Sequence, residues 1–393
     1  MKQQNKWVLP EGIEEVLPPQ AEQLEQLCRN VIDLFTRWGY QLVIPPLVEY
    51  LDSLLTGTGK DLDLQTFKIT DQITGRLMGI RADTTPQVAR IDAHKLKREV
   101  PTRLCYLGTV IHTRPDTTGG SRSPLQVGAE LYGHDGVESD VEVLCLMIET
   151  LRTIGIGNFH IDIGHVGIYR GLITQAGLSS ELETELFDIL QRKAMPELEE
   201  FLDSVSLPSD IADMFRFLIS ANGNVDILQD AQQQLASANS DVKKCLEYLQ
   251  HMTALVVQRI PECSLYFDLA ELRGYHYHNG VMFTAYSPGS GQGIAYGGRY
   301  DAIGSAFGRA RPATGFSTDL KNLLQLSGNE YSLRSGIFAP QTDDPELLKV
   351  IDELRRQGEI VICELPGQTG DAQAMGCDRI LKSGKDGWSV VKL

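Results

Sequence analysis

Gln126, Gly128, Glu130 and Tyr132 share one face of a strand-like run, residues 125–133, because strand side chains alternate between faces. Val127, Ala129 and Leu131 then point into an apolar layer behind. Gln126 and Glu130 lie on the order of 13 Å apart along such a strand, with a side-chain-free slot at Gly128 between them. A carboxylate and an amide flanking a glycine floor suit the α-ammonium of a free amino acid, since charge-assisted hydrogen bonds are the strong ones. The plain alternative is a half-exposed antiparallel strand with two solvated polar residues, and the run by itself favours it. The motifs elsewhere in the chain reverse that preference.

The chain has 393 residues, 42% of them hydrophobic, enough for one large core and a smaller domain. No low-complexity tract interrupts it. A net charge of −16 argues against a protein whose main task is gripping a phosphate backbone. Seven cysteines form no C-x-x-C pair, which predicts reduced thiols rather than a zinc site or a disulfide framework. His276 and His278 stand two apart with no third ligand in sight, so no metal and no cofactor is expected. The polar start, Met1 to Lys6, carries no secretory h-region, and no run reaches the roughly 18 apolar residues of a membrane span. A cytoplasmic location without membrane partners follows as an expectation.

Helical spacing covers 20–38, ending at Gly39. A strand runs from Tyr40 to a double proline at Pro45 and Pro46. Two strands joined near Gly75 occupy 64–83, and a helix with an early Pro86 occupies 84–98. Strands follow at 104–112 and 125–133, around a polar loop at 113–124. A helix at 138–153 and a strand at 159–163 come next. Residues 166–260 read as a helical insertion. Strands resume at 264–269, 274–286 and 293–297, and a helix is predicted over 317–326. Residues 1–327 thus form an α+β core with an antiparallel sheet. Residues 328–393 form a small α/β domain: strand 335–339, helix 345–357, strand 359–363, a second helix, strand 379–381 and strand 388–393.

The phosphate-loop patterns fail: Thr56–Asp61 contains a Gly-Lys without the P-loop spacing, Ser383-Gly384-Lys385 likewise, and Gly289–Gly293 precedes no helix. All three read as turns. Two segments are distinctive: Leu272-Arg273-Gly274-Tyr275-His276-Tyr277-His278, placed within a strand, and Ala295-Tyr296-Gly297-Gly298-Arg299-Tyr300-Asp301 after a second. They resemble the two histidine-recognition segments of histidyl-tRNA synthetase. Gly39–Tyr50 resembles the dimer-forming first motif of class II synthetases. Gly79–Pro86 resembles the amine-binding segment, with Asp83 where the synthetase usually has Glu, and Gln126 and Glu130 match its glutamine–glutamate pair. The resemblance spans about residues 1–325 and implies the class II synthetase-like fold.

The departures matter more. Class II activation uses preorganised arginines to hold the ATP phosphates. The second synthetase motif carries Phe-Arg-x-Glu; here Val110-Ile111-His112-Thr113-Arg114-Pro115 keeps no such pair together. In the third motif, Gly315 to Leu323, Asn322 replaces the expected arginine, and an asparagine cannot supply a forked cation. The tail after Gly328 has 8 Lys/Arg against 11 Asp/Glu, a net −3, the wrong sign for tRNA. A kept histidine pocket with lost ATP and tRNA functions is similar to the regulatory subunits of short-form ATP phosphoribosyltransferase. That resemblance implies a non-catalytic chain. It would join a short catalytic subunit in a hetero-oligomer, as dimers within a hetero-octamer. It would raise that subunit's activity and mediate feedback inhibition by L-histidine in the first step of histidine biosynthesis.

The same resemblance gives roles to residues. Asp83, Gln126 and Glu130 would bind the α-ammonium, assisted by Thr85. Arg273, helped by Arg114, would pair with the carboxylate. Tyr275, Tyr277 and Tyr296 would wall the imidazole. The plain alternatives are a surface ion pair for Arg273 and strand packing for the tyrosines. Two rival functions stay open: a histidine-activating ligase using Arg114, Arg309 or Arg311 as substitute cations, and a tRNA-sensing synthetase-like binding protein.

Overall fold

Leu24, Leu27, Val31, Leu34 and Phe35 form one buried stripe on the helix Gln20–Arg37, and Gly39, at φ +83°, lets the chain leave it. The computed structural model describes residues 7–57, 60–115, 120–275, 277–328, 335–385 and 387–393. The polar start 1–6, Thr58 and Gly59, His276 and the junction 329–334 lie outside the described residues. The chain divides into two compact units, Met1–Asn329 and Glu330–Leu393.

In the first unit a nine-stranded sheet runs, edge to edge, through Gln41–Leu42, Thr102–Thr109, Leu125–Tyr132, Ala313–Asp319, Ala295–Arg299, Val281–Tyr286, His160–His165, Leu265–Asp268 and Asn222–Gly223. The middle is antiparallel as expected, but the sheet is mixed. Gln41–Leu42 pairs parallel with Thr102–Thr109, and His160–His165 with Leu265–Asp268. Each parallel pair is linked by a long excursion through helices, which frees it from hairpin geometry. Behind the sheet, Val137–Ile154 packs against Gln20–Arg37, and Phe35 meets Phe316 edge-on at 5.9 Å. Val127, Ala129 and Leu131 face that layer and are buried. Val48–Tyr50, Leu77–Ile80 and Phe67–Thr70 form a separate three-stranded antiparallel sheet with Leu77–Ile80 in the middle. The insertion holds helices from Val166–Ala176 to Ser240–Arg259.

Two expectations in this unit need correction. The strand predicted over 274–286 begins only at Val281; Gly274, at φ +72°, accepts hydrogen bonds from Tyr277 N and His278 N, and Arg273, Gly274, Tyr275 and Tyr277 lie in turns. The helix predicted over 317–326 begins at Leu320, where Asp319 Oδ1 accepts from Lys321 N. The residues before it, Ala313–Asp319, are a central strand. Its Gly315 and Asp319 are of types depleted in strands, which weakens the strand signal of Thr314, Phe316 and Thr318.

In the second unit, Val361–Cys363, Gly336–Ala339, Cys377–Gly384 and Gly387–Lys392 form a sheet, the last pair antiparallel. Helix Pro345–Arg356 lays Leu347 and Ile351 on Ile337, Val361 and Leu381. The second helix expected here is absent: 364–376 is irregular chain with turns at 366–367 and 372–376, and φ is positive at Gly367, Gly370 and Gly376.

Candidate functional site

Register builds the site. Glu130 lies opposite Leu104 on one side and Gly315 on the other; Gly128 lies opposite Tyr106 and Ser317. Glu130 is buried and sits in a cage of hydroxyls. Thr85 Oγ1 donates to Oε1 at 3.2 Å and Tyr106 OH to Oε1 at 3.1 Å, while Tyr300 OH donates to Oε2. Burial pushes its carboxyl up to about 8; the nearby Asp83 charge adds to the shift, and the three hydroxyls oppose it. A chamber of about 120 Å³ opens beside it, lined by Asp83, Tyr277, His278, Tyr296, Tyr300 and Ser317, among others. Tyr277 stacks on Tyr300 at 5.1 Å, and its buried hydroxyl finds no partner among the described residues. His278 Nδ1 lies 3.3 Å from the Arg299 carbonyl, and burial lowers the ring to about 4, so it is neutral at pH 7.

The chamber opens into a wider cleft of about 860 Å³, with Asp83, Tyr296 and Ser317 on the shared wall. Gln126 fixes Asp83 there. Its Nε2 donates to Asp83 Oδ1 at 2.7 Å and its Oε1 accepts from Thr84 N at 2.9 Å. Thr85 N also donates to Asp83 Oδ1, at 3.2 Å. Thr85 opens the helix Thr85–Arg90, and this one residue bridges Asp83, through its N–H, to Glu130, through its hydroxyl. The structure thus brings Asp83, Thr85, Gln126, Glu130, Tyr277 and Tyr296 around two connected spaces.

The other expected residues stand apart. Arg273 is on the rim of the wide cleft, held by Glu271 at 2.5 Å and by the Tyr286 hydroxyl. Tyr275 turns away from both spaces toward the helical insertion, where its hydroxyl donates to Glu183 Oε1 at 2.7 Å. The alternation of Arg273, Tyr275 and Tyr277 onto one face fails because the segment is a turn. Arg114 is exposed and lines a separate space of about 320 Å³ with Glu11, Gly12 and Arg122. Thr113 anchors it there through Gln65 and Leu64 carbonyls. Tyr106, Tyr300, His278, Gly315 and Ser317 complete the site, and the sequence reading gave none of them a role.

The wide cleft has an amide- and acid-rich wall that includes Glu14, Asp83, Asp319, Asn322 and Gln325. Among the described residues its cations are Arg273, already paired, and Lys321, whose Nζ donates to the Ser123 carbonyl at 2.7 Å. Arg311 is buried against Asp92 at 3.0 Å and Arg309 lies 3.0 Å from Glu99; neither lines the cleft. Among the described residues no group of three or more His, Cys, Asp or Glu could hold a metal ion, and no helix is long and apolar enough to cross a membrane.

Comparison with known proteins places this geometry. A family model described as histidyl-tRNA synthetase matches residues 12–323, and one described as the ATP phosphoribosyltransferase subunit HisZ C-terminal domain matches 334–391. Proteins named ATP phosphoribosyltransferase regulatory subunit are similar over the whole length. That of Thioalkalivibrio sulfidiphilus is 58% identical over 100% of both chains. That of Alkalilimnicola ehrlichii is 53% identical over 99% of this chain and 97% of the relative. A Bacillus halodurans structure described as an ATP phosphoribosyltransferase regulatory subunit/histidyl-tRNA synthetase superposes with TM-score 0.84 at 25% identity, covering 94% of this chain and 96% of that one. Histidyl-tRNA synthetase from Nostoc shares the fold, with TM-score 0.77 at 19% identity, over 97% of this chain and 92% of that one.

Proposed function

The chain belongs to the family of ATP phosphoribosyltransferase regulatory subunits, built on a histidyl-tRNA synthetase-like unit, and from that premise we propose that it is a histidine-sensing, non-catalytic partner of a short ATP phosphoribosyltransferase catalytic subunit. It raises that subunit's activity, and free L-histidine in its pocket reverses the gain. The inner chamber carries this reading: a small aromatic-walled space with a buried carboxyl and an unpartnered Tyr277 hydroxyl, opening past an exposed-side carboxylate. That is a place for one polar ring, with charged groups left at the mouth.

In this arrangement the imidazole enters between Tyr277, Tyr296 and Tyr300, where Glu130 accepts a ring N–H. Asp83 and Gln126, on the shared wall, receive the α-ammonium; Thr85 holds Asp83 and Glu130 in register. Glu130 therefore serves the ring rather than the ammonium. The carboxylate reaches Arg273 at the rim without Arg114.

A cleft wall that shows no free arginine pair among the described residues suits a chain that does not activate histidine with ATP. The alternative cations Arg309 and Arg311 are committed to Glu99 and Asp92. Leu42 in the edge strand Gln41–Leu42, with Ile44 and Leu47 just after it, is exposed (46%, 82% and 44% in that order), and the three offer an apolar surface for self-association within a hetero-octamer.

Titration calorimetry with L-histidine, alongside histidinol and histamine, tests the pocket. The expected order is strong binding of histidine and weakened binding of both analogues, which lack the carboxylate. Equal affinities, or no binding of histidine, would contradict it.

A further inference from the structure

Tyr275 and Tyr277 leave the same turn in opposite directions. Tyr277 walls the chamber and stacks on Tyr300, which donates to Glu130. Tyr275 runs into the helical insertion. Its ring lies 5.3 Å from those of Tyr169 and Phe187, and the Arg170 guanidinium carbon sits 4.7 Å above it. Its hydroxyl donates to Glu183. Arg170 then closes the contact: its Nη2 donates to the carbonyls of Tyr275, at 2.8 Å, and His278, at 3.0 Å. Those two carbonyls bracket Tyr277. Tyr169 OH donates to the Glu183 carbonyl at 2.9 Å, so the helices Val166–Ala176 and Ser180–Gln191 hold the turn as one body.

From this we infer that Arg170 and Glu183 are positioning residues that carry the state of the pocket into the helical insertion. The inference rests on the histidine pocket proposed above. A ligand seated against Tyr277 and His278 fixes the turn, and the turn can move only by dragging its partners on the two helices. Packed aromatic contacts with a forked arginine are discrete arrangements rather than elastic ones. The insertion therefore has one arrangement for the empty pocket and another for the filled one, and coupling to the catalytic partner runs through it.

The test uses the full chain in complex with its catalytic subunit. Arg170→Met removes both carbonyl contacts, and Glu183→Ala removes the hydroxyl contact; Glu183→Gln keeps an acceptor and is the conservative control. Histidine affinity, the depth of inhibition at saturating histidine, and histidine-dependent amide exchange across 166–191 are measured in each. Wild type and Glu183→Gln should slow exchange there on binding. Arg170→Met and Glu183→Ala should bind histidine within about threefold of wild type. They should lose the exchange response and show inhibition at least about fivefold shallower, the lower end of usual coupling strengths. Wild-type binding with no exchange change across 166–191, or full inhibition in both variants at saturation, would overturn the clamp alone. Failure of wild type to bind histidine would overturn the pocket and the clamp together.

Discussion

Glu130 and Gly315 face one another across neighbouring antiparallel strands, and a Cβ on Gly315 would stand 1.6 Å from Glu130 Oε2. A buried carboxyl in a hydroxyl cage has nowhere to retreat, so glycine is what that register demands. Gly315→Ala should lower stability by about 1–3 kcal/mol, the usual cost of overpacking, and weaken histidine binding at least tenfold. Thermal unfolding and calorimetry on the same sample check it; an alanine variant with wild-type melting and affinity would contradict the packing described.

Glu130 gives the pocket a pH dependence. Its carboxyl titrates at about 8 in the folded chain against an ordinary 4.5. The folded state thus holds this proton more tightly than the unfolded one, and the group's stabilising contribution is complete below about pH 4.5 and lost as pH rises through 8. Denaturant unfolding from pH 5 to 9 should show that decline in wild type and lack it in Glu130→Gln.

Ligand binding should release the same proton. Between pH 7 and 8 the free imidazole, with a pKa of about 6.5, is already mostly neutral. A rise in affinity over that interval then reports ionisation of Glu130, and calorimetry in buffers of different ionisation enthalpy should register a fraction of a proton released. Glu130→Ala should weaken binding sharply; unchanged affinity would mean the chamber is not the histidine pocket.

Asp83 is held by Gln126 Nε2 at 2.7 Å and by Thr85 N, with its charge at the chamber mouth. Asp83→Asn preserves shape and removes charge. Loss of a charged hydrogen bond costs about 1.5–3 kcal/mol, so histidine affinity should fall about ten- to a hundredfold, with the melting temperature nearly constant. Gln126→Ala should act in the same direction through Asp83.

Much of this could be read from the sequence. The strand carrying Gln126 and Glu130, the segment of Asp83 and Thr85, and the place of the helical insertion all emerge from alternation, helical spacing and motif order. Two kinds of feature did not. Ala313–Asp319 has no apolar alternation because its inward positions are occupied by Gly315 and Ser317, which yield space to Glu130 and the chamber. Tyr106 reaches Glu130 through the register of two strands, and Tyr300 from just beyond the end of a third, which no local pattern encodes. The turn at Gly274 hid the rest, since Arg273, Tyr275 and Tyr277 look like an alternating strand until one positive φ sends each to a different neighbour. Tyr300 lay within a segment already singled out, and its type alone was a usable signal.

An active ligase would show itself in ATP–pyrophosphate exchange. With Asn322 in the cleft wall and Lys321 bound to the Ser123 carbonyl, histidine-dependent exchange should stay at background. Exchange above background would restore the synthetase reading.

The most direct measurement is phosphoribosyl-ATP formation by the short catalytic subunit of the same organism, alone, with this chain, and with this chain plus L-histidine. The rate should rise when the chain is added and fall again with histidine, and the Asp83→Asn complex should need more histidine for the same fall. A rate indifferent to the chain, with no co-elution of the two proteins, would contradict the regulatory role.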